Sequence, residues 1–194
     1  MISVKNLYKS YGDTCVFSDY SEEIPLGKRT CIWGPSGIGK TTLFRLLMDL
    51  EQVDSGEISG LENLKQSVVF QEDHLCPTVT VEGNILLPHM KKNSPLTLAQ
   101  VSEALGILGL EACKEKRAEE LSGGMRRRVA ILRAVLATFD ILFLDEPFKG
   151  LDEKSKKITM DYVMEKTKNK TVLWITHDPE ELSYFHSEKV LHLS

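Results

Sequence analysis

The run Gly34-Pro35-Ser36-Gly37-Ile38-Gly39-Lys40-Thr41 restricts the fold of this chain more than any other feature. It fits G-x-x-x-x-G-K-[ST] without a gap, directly after an apolar strand-like stretch, Thr30 to Trp33. A helical stripe of Leu43, Leu46, Leu47 and Leu50 follows directly. In that setting consecutive backbone N–H groups turn inward as an anion nest, and the helix start adds unpaired amides and its positive dipole end. Lys40 then reaches the β and γ phosphates, and the Thr41 hydroxyl is placed to ligate Mg²⁺. The motif implies nucleotide phosphate binding.

The surrounding pattern predicts an α/β fold. Short apolar runs at Thr30 to Trp33, Ser67 to Phe70, Ile141 to Leu144, Thr171 to Thr176 and Lys189 to Leu193 alternate with helical stretches. The unbroken apolar run Ile141-Leu142-Phe143-Leu144 suits a strand covered on both faces, as in a parallel sheet flanked by helices. Met125, Val129, Leu132 and Leu136 mark a second helix, predicted from Arg126 to Leu136. The first 28 residues, with Ile2 and Val4 alternating and Gly12-Asp13 as a turn, suggest a small antiparallel piece. Residues 77–120 read as a mostly helical insertion. It holds Pro77, Pro88 and Pro95, a helix-like piece from Thr97 to Leu110, and a charged stretch from Glu111 to Glu120. The expected organisation is one domain over 1–194, with a core at about 1–76 and 121–194.

A net charge of −4 argues against a generic nucleic-acid binder, whose affinity rests on a basic surface. The most apolar stretch, Val129 to Leu144, is interrupted by Arg133 and Asp140 and falls short of a membrane span. Charges scattered through Met1 to Lys9 do not fit a signal peptide, so a soluble, intracellular chain is expected. Cys15, Cys31, Cys76 and Cys113 form no CxxC pair and read as reduced thiols.

Two carboxylates, Asp145 and Glu146, stand where the strand Ile141 to Leu144 ends, the side on which open α/β sheets bind ligands. Asp145 is the candidate Mg²⁺ partner, through water, and Glu146 the candidate base for an attacking water. A second helix start, Leu121-Ser122-Gly123-Gly124-Met125, offers Ser122 as N-cap and two glycines for close backbone approach. One triphosphate does not need two cradles. Either the second serves another ligand, or it completes the site of another copy of the chain.

With that segment some 20 residues before the acidic strand, the chain resembles the nucleotide-binding subunit of an ABC transporter, over essentially its whole length. Leu121 to Met125 resembles the LSGGQ signature, with Met125 in place of the usual Gln and Arg127 where a second Gln is frequent. The resemblance implies an ABC ATPase fold and the binding and hydrolysis of ATP with Mg²⁺. Nucleotide contacts are implied from Gly34 through Thr41 to Thr42, with Tyr11 as the aromatic that stacks on adenine. Taken alone, Tyr11 reads as a packing tyrosine. Gln71, in Val68-Val69-Phe70-Gln71, resembles the Q-loop glutamine that reaches Mg²⁺ or the attacking water and senses a membrane partner. Leu151 and Asp152 resemble the D-loop, where Lys149-Gly150 replaces the commoner Ser-Ala. His177 resembles the switch histidine at the γ-phosphate. It also precedes an expected capping box, with Asp178 as N-cap, Pro179 at N1 and Glu181 closing it.

The resemblance further implies a head-to-tail dimer, with itself or a paralogous subunit, in which each ATP lies between one P-loop and the partner's signature. Separate transmembrane permease subunits, contacted through Glu72 to Pro88, and a substrate-binding protein are the other implied partners; nucleic acid is not one. The implied location is the cytoplasmic face of the cell membrane. Only 104 residues lie between Lys40 and Asp145, too few for the coiled-coil excursion of a DNA-repair ABC ATPase. A regulatory, non-transport nucleotide-binding module is the alternative, whose hallmark would be loss of Glu146 or His177. The wording Glu-Pro-Phe-Lys-Gly-Leu-Asp and Thr-His-Asp leans toward a bacterial-type importer, with the nitrate, sulfonate and taurine group as the nearest look. The last expected strand ends almost at residue 194, so the chain reads as little more than one cassette.

Overall fold

The structure, a computed structural model, describes residues 1–90 and 96–193. Pro95 of the expected insertion lies outside the described residues. Among the described residues, eight strands form two sheets. Strands β1 (Ile2–Tyr11), β2 (Thr14–Ile24) and β4 (Ser55–Ser59) make an antiparallel sheet in the order β2-β1-β4. Strands β3 (Arg29–Trp33), β5 (Gln66–Val69), β6 (Ile141–Asp145), β7 (Thr171–Ile175) and β8 (Lys189–His192) make a parallel sheet in the order β5-β6-β7-β3-β8. Every residue of β6 and β7 is buried, as their unbroken apolar sequences require of central strands covered on both faces.

Helices cover both faces. Helix α1 (Lys40–Leu47) sends Leu43, Phe44, Leu46 and Leu47 into an apolar cluster with Ile2, Val4 and Leu7 of the antiparallel sheet and Ile32, Phe143 and Ile175 of the parallel one. Phe44 meets Phe143 edge to face at 5.2 Å, and each such buried ring stabilises the layer by about 1.5–3 kcal/mol. The other face packs α2 (Val81–Leu86), α3 (Leu98–Ile107), α4 (Gly123–Leu136) and α5 (Glu153–Lys166) around Leu142, Leu144, Val172 and Trp174. Helix α6 (Pro179–Phe185) adds Phe185 to that cluster. Residues of α2 and α3 thus share one core with the sheet instead of forming their own.

Several local expectations change. Helix α1 stops before Leu50, which is 57% exposed: Asp49 takes φ 56°, and the bonds Asp49 N–H to Leu46 O and Leu50 N–H to Arg45 O close a Schellman turn. Helix α4 begins at Gly123, three residues before the expected Arg126, because Ser122, the expected N-cap, accepts from Met125 N–H at 3.4 Å through Oγ. The capping box expected at α6 does not close. Asp178 accepts from Glu180 N–H at 2.9 Å, while Glu181 turns inward to Thr176 Oγ1 at 2.5 Å and Lys156 Nζ at 3.1 Å.

Three elements escape sequence reading: strand β4, helix α2 and helix α5, whose highly charged sequence Glu153–Lys166 carries no marked apolar stripe. Strand β4, Ser-Gly-Glu-Ile-Ser, has no apolar alternation and exists because β1 pairs with it; a Cβ at Gly56 would come within 2.4 Å of Asn6 O. Helix α2 contains Gly83 and is held by buried Asn84, whose amide joins Cys76, Val79 and Thr80 in four hydrogen bonds at 2.8–3.1 Å. No helix among the described residues is long and apolar enough to cross a membrane.

Candidate active site

The loop from Gly34 leaves the carboxyl end of β3 and enters α1 through Gly39, whose φ of 104° and 2.5 Å approach to Val16 Cγ1 admit no side chain without displacing Val16. No side chain caps α1, so its first amides are left for an anion. Lys40 folds back, buried, and donates to Gly34 O and Pro35 O at 2.7 Å each.

Thr41 Oγ1 donates to Asp145 Oδ2 at 2.9 Å, joining the loop to the end of β6. Burial pushes the Asp145 carboxyl above its ordinary value, against the Thr41 hydrogen bond that lowers it. A buried carboxylate penalised in this way, beside a hydroxyl oxygen, is a hard-oxygen donor pair of the kind that Mg²⁺ favours.

Glu146 has φ 44°, and its N–H donates to Ile175 O at 3.1 Å. Its carboxylate lies between Lys149 Nζ, 2.8 Å from Oε2, and His177 Nδ1, 2.9 Å from Oε1. Partial burial alone would raise this carboxyl, but the hydrogen bonds and charge interactions with Lys149 and His177 together outweigh it and hold the group below its usual range.

Lys40, Thr41, Asp145, Glu146 and Lys149 line a cleft of about 380 Å³ together with Tyr11, Val16, Ser36, Gly37, Thr42 and Gln71. The Tyr11 ring is half-exposed at its edge; its hydroxyl donates to Glu51, and Lys9 Nζ lies 5.1 Å from the ring centre. Burial, followed by the Glu51 contact, raises the Tyr11 hydroxyl above its ordinary value.

Leu121 to Met125 do not line this cleft. Gly124 instead lies against Gly150 and Leu151: a Cβ there would meet Gly150 O at 3.6 Å and Leu151 Cδ2 at 3.7 Å. Leu151 and His177 line a smaller neighbouring cleft with Glu146. Asp152 caps α5, accepting from Ser155 N–H at 3.0 Å. Within the first stretch of the expected permease contact, Glu72, Asp73, His74, Leu75 and Pro77 form a groove of about 490 Å³ with Ala118, Glu119 and Arg126.

Sequence reasoning missed the part played by Arg127 and Lys149. Both stand out only as departures from a family motif, and neither spacing nor local charge distinguishes them from solvated side chains. Arg127 is buried and bonds the backbone of both Gln71 and Glu146; Lys149 bonds the Glu146 carboxylate.

A phosphate-type loop after β3, with β7 between it and the paired carboxylates at the end of β6, defines a P-loop nucleotide-binding protein. The chain belongs to the ABC transporter family, whose model matches residues 17–149. It is 36% identical to the spermidine/putrescine import ATP-binding protein PotA of Legionella pneumophila, over 93% of this chain and 53% of that protein. It is 33% identical to the sulfate/thiosulfate import ATP-binding protein CysA of Burkholderia mallei, over 93% of this chain and 56% of that one. The chain therefore spans about half the length of the curated relatives it matches. The dimeric ABC transporter cassette MJ0796 superposes with a TM-score of 0.85 at 27% identity, over 100% of this chain and 94% of that one. A post-hydrolysis dimer of the same cassette, bound to ADP and Pi, gives 0.86 at 26% identity, with the same coverage. The ABC ATPase fold expected from the motif order is thus present. The leaning toward nitrate, sulfonate and taurine import finds no support in these relatives, which are named for polyamine and sulfate import.

Proposed function

We propose that this chain binds and hydrolyses ATP as the nucleotide-binding subunit of an ABC importer, acting as one cassette with residues 77–120 as its helical insertion. The observation that carries this reading is the convergence of Lys40, Thr41, Asp145, Glu146 and Gln71 on one cleft, with His177 bonded to Glu146. Lys40 and the first amides of α1 hold the phosphates, and Tyr11 stacks on the base. Thr41, Asp145 and Gln71 would hold Mg²⁺, which would supply charge neutralisation on the phosphate oxygens. Glu146, ionised by its two cationic or hydrogen-bonding neighbours, takes the proton of the attacking water. His177 orients that carboxylate and contacts the γ-phosphate.

The signature, Leu121 to Met125, sits outside the cleft, which supports a second copy or a paralogue supplying it in trans, with Leu151 and Asp152 at the interface. The groove at Glu72 to Pro77 is the docking surface for permease subunits at the cytoplasmic face of the membrane, with a substrate-binding protein as further partner. Import is favoured by the names of the relatives; the solute belongs to the partners and not to this chain. A direct titration with ATP and Mg²⁺ tests the reading. Wild-type protein should bind and hydrolyse ATP, and Lys40→Ala should bind far more weakly; unchanged binding by that variant would refute the cradle.

A further inference from the structure

Arg127 of α4 is 5% exposed, and its guanidinium joins two separate parts of the chain. On one side Nε donates to Pro147 O at 2.7 Å, and Nη2 donates to Asp145 O at 2.9 Å and Glu146 O at 2.8 Å. On the other, Nη1 donates to Phe70 O at 2.5 Å and Gln71 O at 3.3 Å, and meets Asp73 Oδ1 at 3.3 Å. A guanidinium presents five N–H donors in a rigid plane, so these six acceptors occupy it fully. Three successive carbonyls reach one group only where the chain curls, and Glu146 at φ 44° makes that curl, in a conformation disfavoured for any residue with a Cβ. Such a conformation persists where its surroundings over-determine it. Arg133, six residues further along α4, holds the next carbonyls of the same segment, Asp73 O at 3.0 Å and His74 O at 2.7 Å, and bonds nothing at the end of β6.

We infer that Arg127 is a positioning residue for hydrolysis. It locks the backbone of Glu146 to that of Phe70 and Gln71, so that the curl at Glu146 keeps its place beside the cleft. The inference rests on Glu146 being the base, as proposed above. A neutral side chain too short to reach both sets of acceptors would leave the curl at Glu146 unsupported while touching nothing in the phosphate loop.

The test compares Arg127→Gln, Arg127→Lys and Arg133→Gln in the full chain. Arg127→Gln should lower kcat for ATP by about 10²-fold, the loss expected when a reacting group is misplaced by roughly an ångström. Its dissociation constant for ATP should stay near wild type. Its Glu146 amide, which donates to Ile175 O at 3.1 Å, should exchange with solvent deuterium faster. Arg127→Lys, with its charge on a single nitrogen, should fall between, and it carries the same readouts if Arg127→Gln does not fold. Arg133→Gln should leave kcat and Glu146 exchange near wild type. The inference is overturned if the Arg127 variants keep wild-type turnover and exchange, or if Arg133→Gln loses as much as they do. A wild-type chain without ATP turnover counts against the functional reading instead, and Glu146 exchange in the variants still decides the role of Arg127.

Discussion

His177 Nδ1 lies 2.9 Å from Glu146 Oε1 at the ends of the adjacent parallel strands β7 and β6, while Lys149 holds the other oxygen at 2.8 Å. The Glu146 carboxylate thus has a separate partner on each oxygen before any substrate arrives. Its depressed proton affinity keeps it ionised near neutrality, the state a base requires.

Glu146→Gln preserves the shape and both neighbours but cannot accept a proton. Turnover should fall by about 10²-fold or more, while ATP affinity is retained and an ATP-bound dimer accumulates on a sizing column. Hydrolysis at the wild-type rate would remove Glu146 from the role of base.

The separation of Leu121 to Met125 from the phosphate cleft makes a mixing experiment informative. Lys40→Ala and Ser122→Arg chains, each inactive alone, should regain part of the ATPase activity when combined, since one composite site then has an intact loop and an intact signature. Activity no higher than that of the separate variants would argue against sites shared between chains.

Asn84→Ala should destabilise the fold by about 1–3 kcal/mol, because the Cys76 N–H loses its acceptor and a fully buried amide is removed, while the Cys76, Val79 and Thr80 carbonyls keep their backbone donors. Chemical denaturation measures this directly. An unchanged midpoint and slope would mean that water replaces the amide without cost.

Asp178 accepts from Lys156 and from Glu180 N–H, and these contacts hold its carboxyl below the ordinary value. A depressed carboxyl contributes stability above its unfolded pKa, near 3.9, and that contribution disappears as pH falls through the folded value. Asp178→Asn keeps an acceptor for the helix cap but loses the ion pair. It should therefore cost roughly 0.2–1 kcal/mol at neutral pH, as partly exposed pairs do, and the gap to wild type should close below about pH 4. A gap independent of pH would assign the effect to packing.

The legible parts of this fold are those where one local signal suffices. The five strands of the parallel sheet announce themselves as short apolar runs, most plainly β6 and β7, which are buried throughout and keep little polar patterning. Strand β4 and helix α2 do not, since Ser55–Ser59 is a strand only by pairing with β1, and Val81–Leu86 holds together around one buried amide. Leu50 continues the apolar stripe on paper, yet the backbone turn at Asp49 takes it out to solvent.

By itself, the sequence determined the phosphate loop, the acidic strand end, the signature and their order, because each depends on residues within one turn of chain. Only the tertiary structure decided how Arg127 and Lys149 reach Glu146, and that the signature stands apart from the cleft. Those relationships are set by which strands lie side by side and by which buried cation the surrounding carbonyls can satisfy, and no local pattern encodes either.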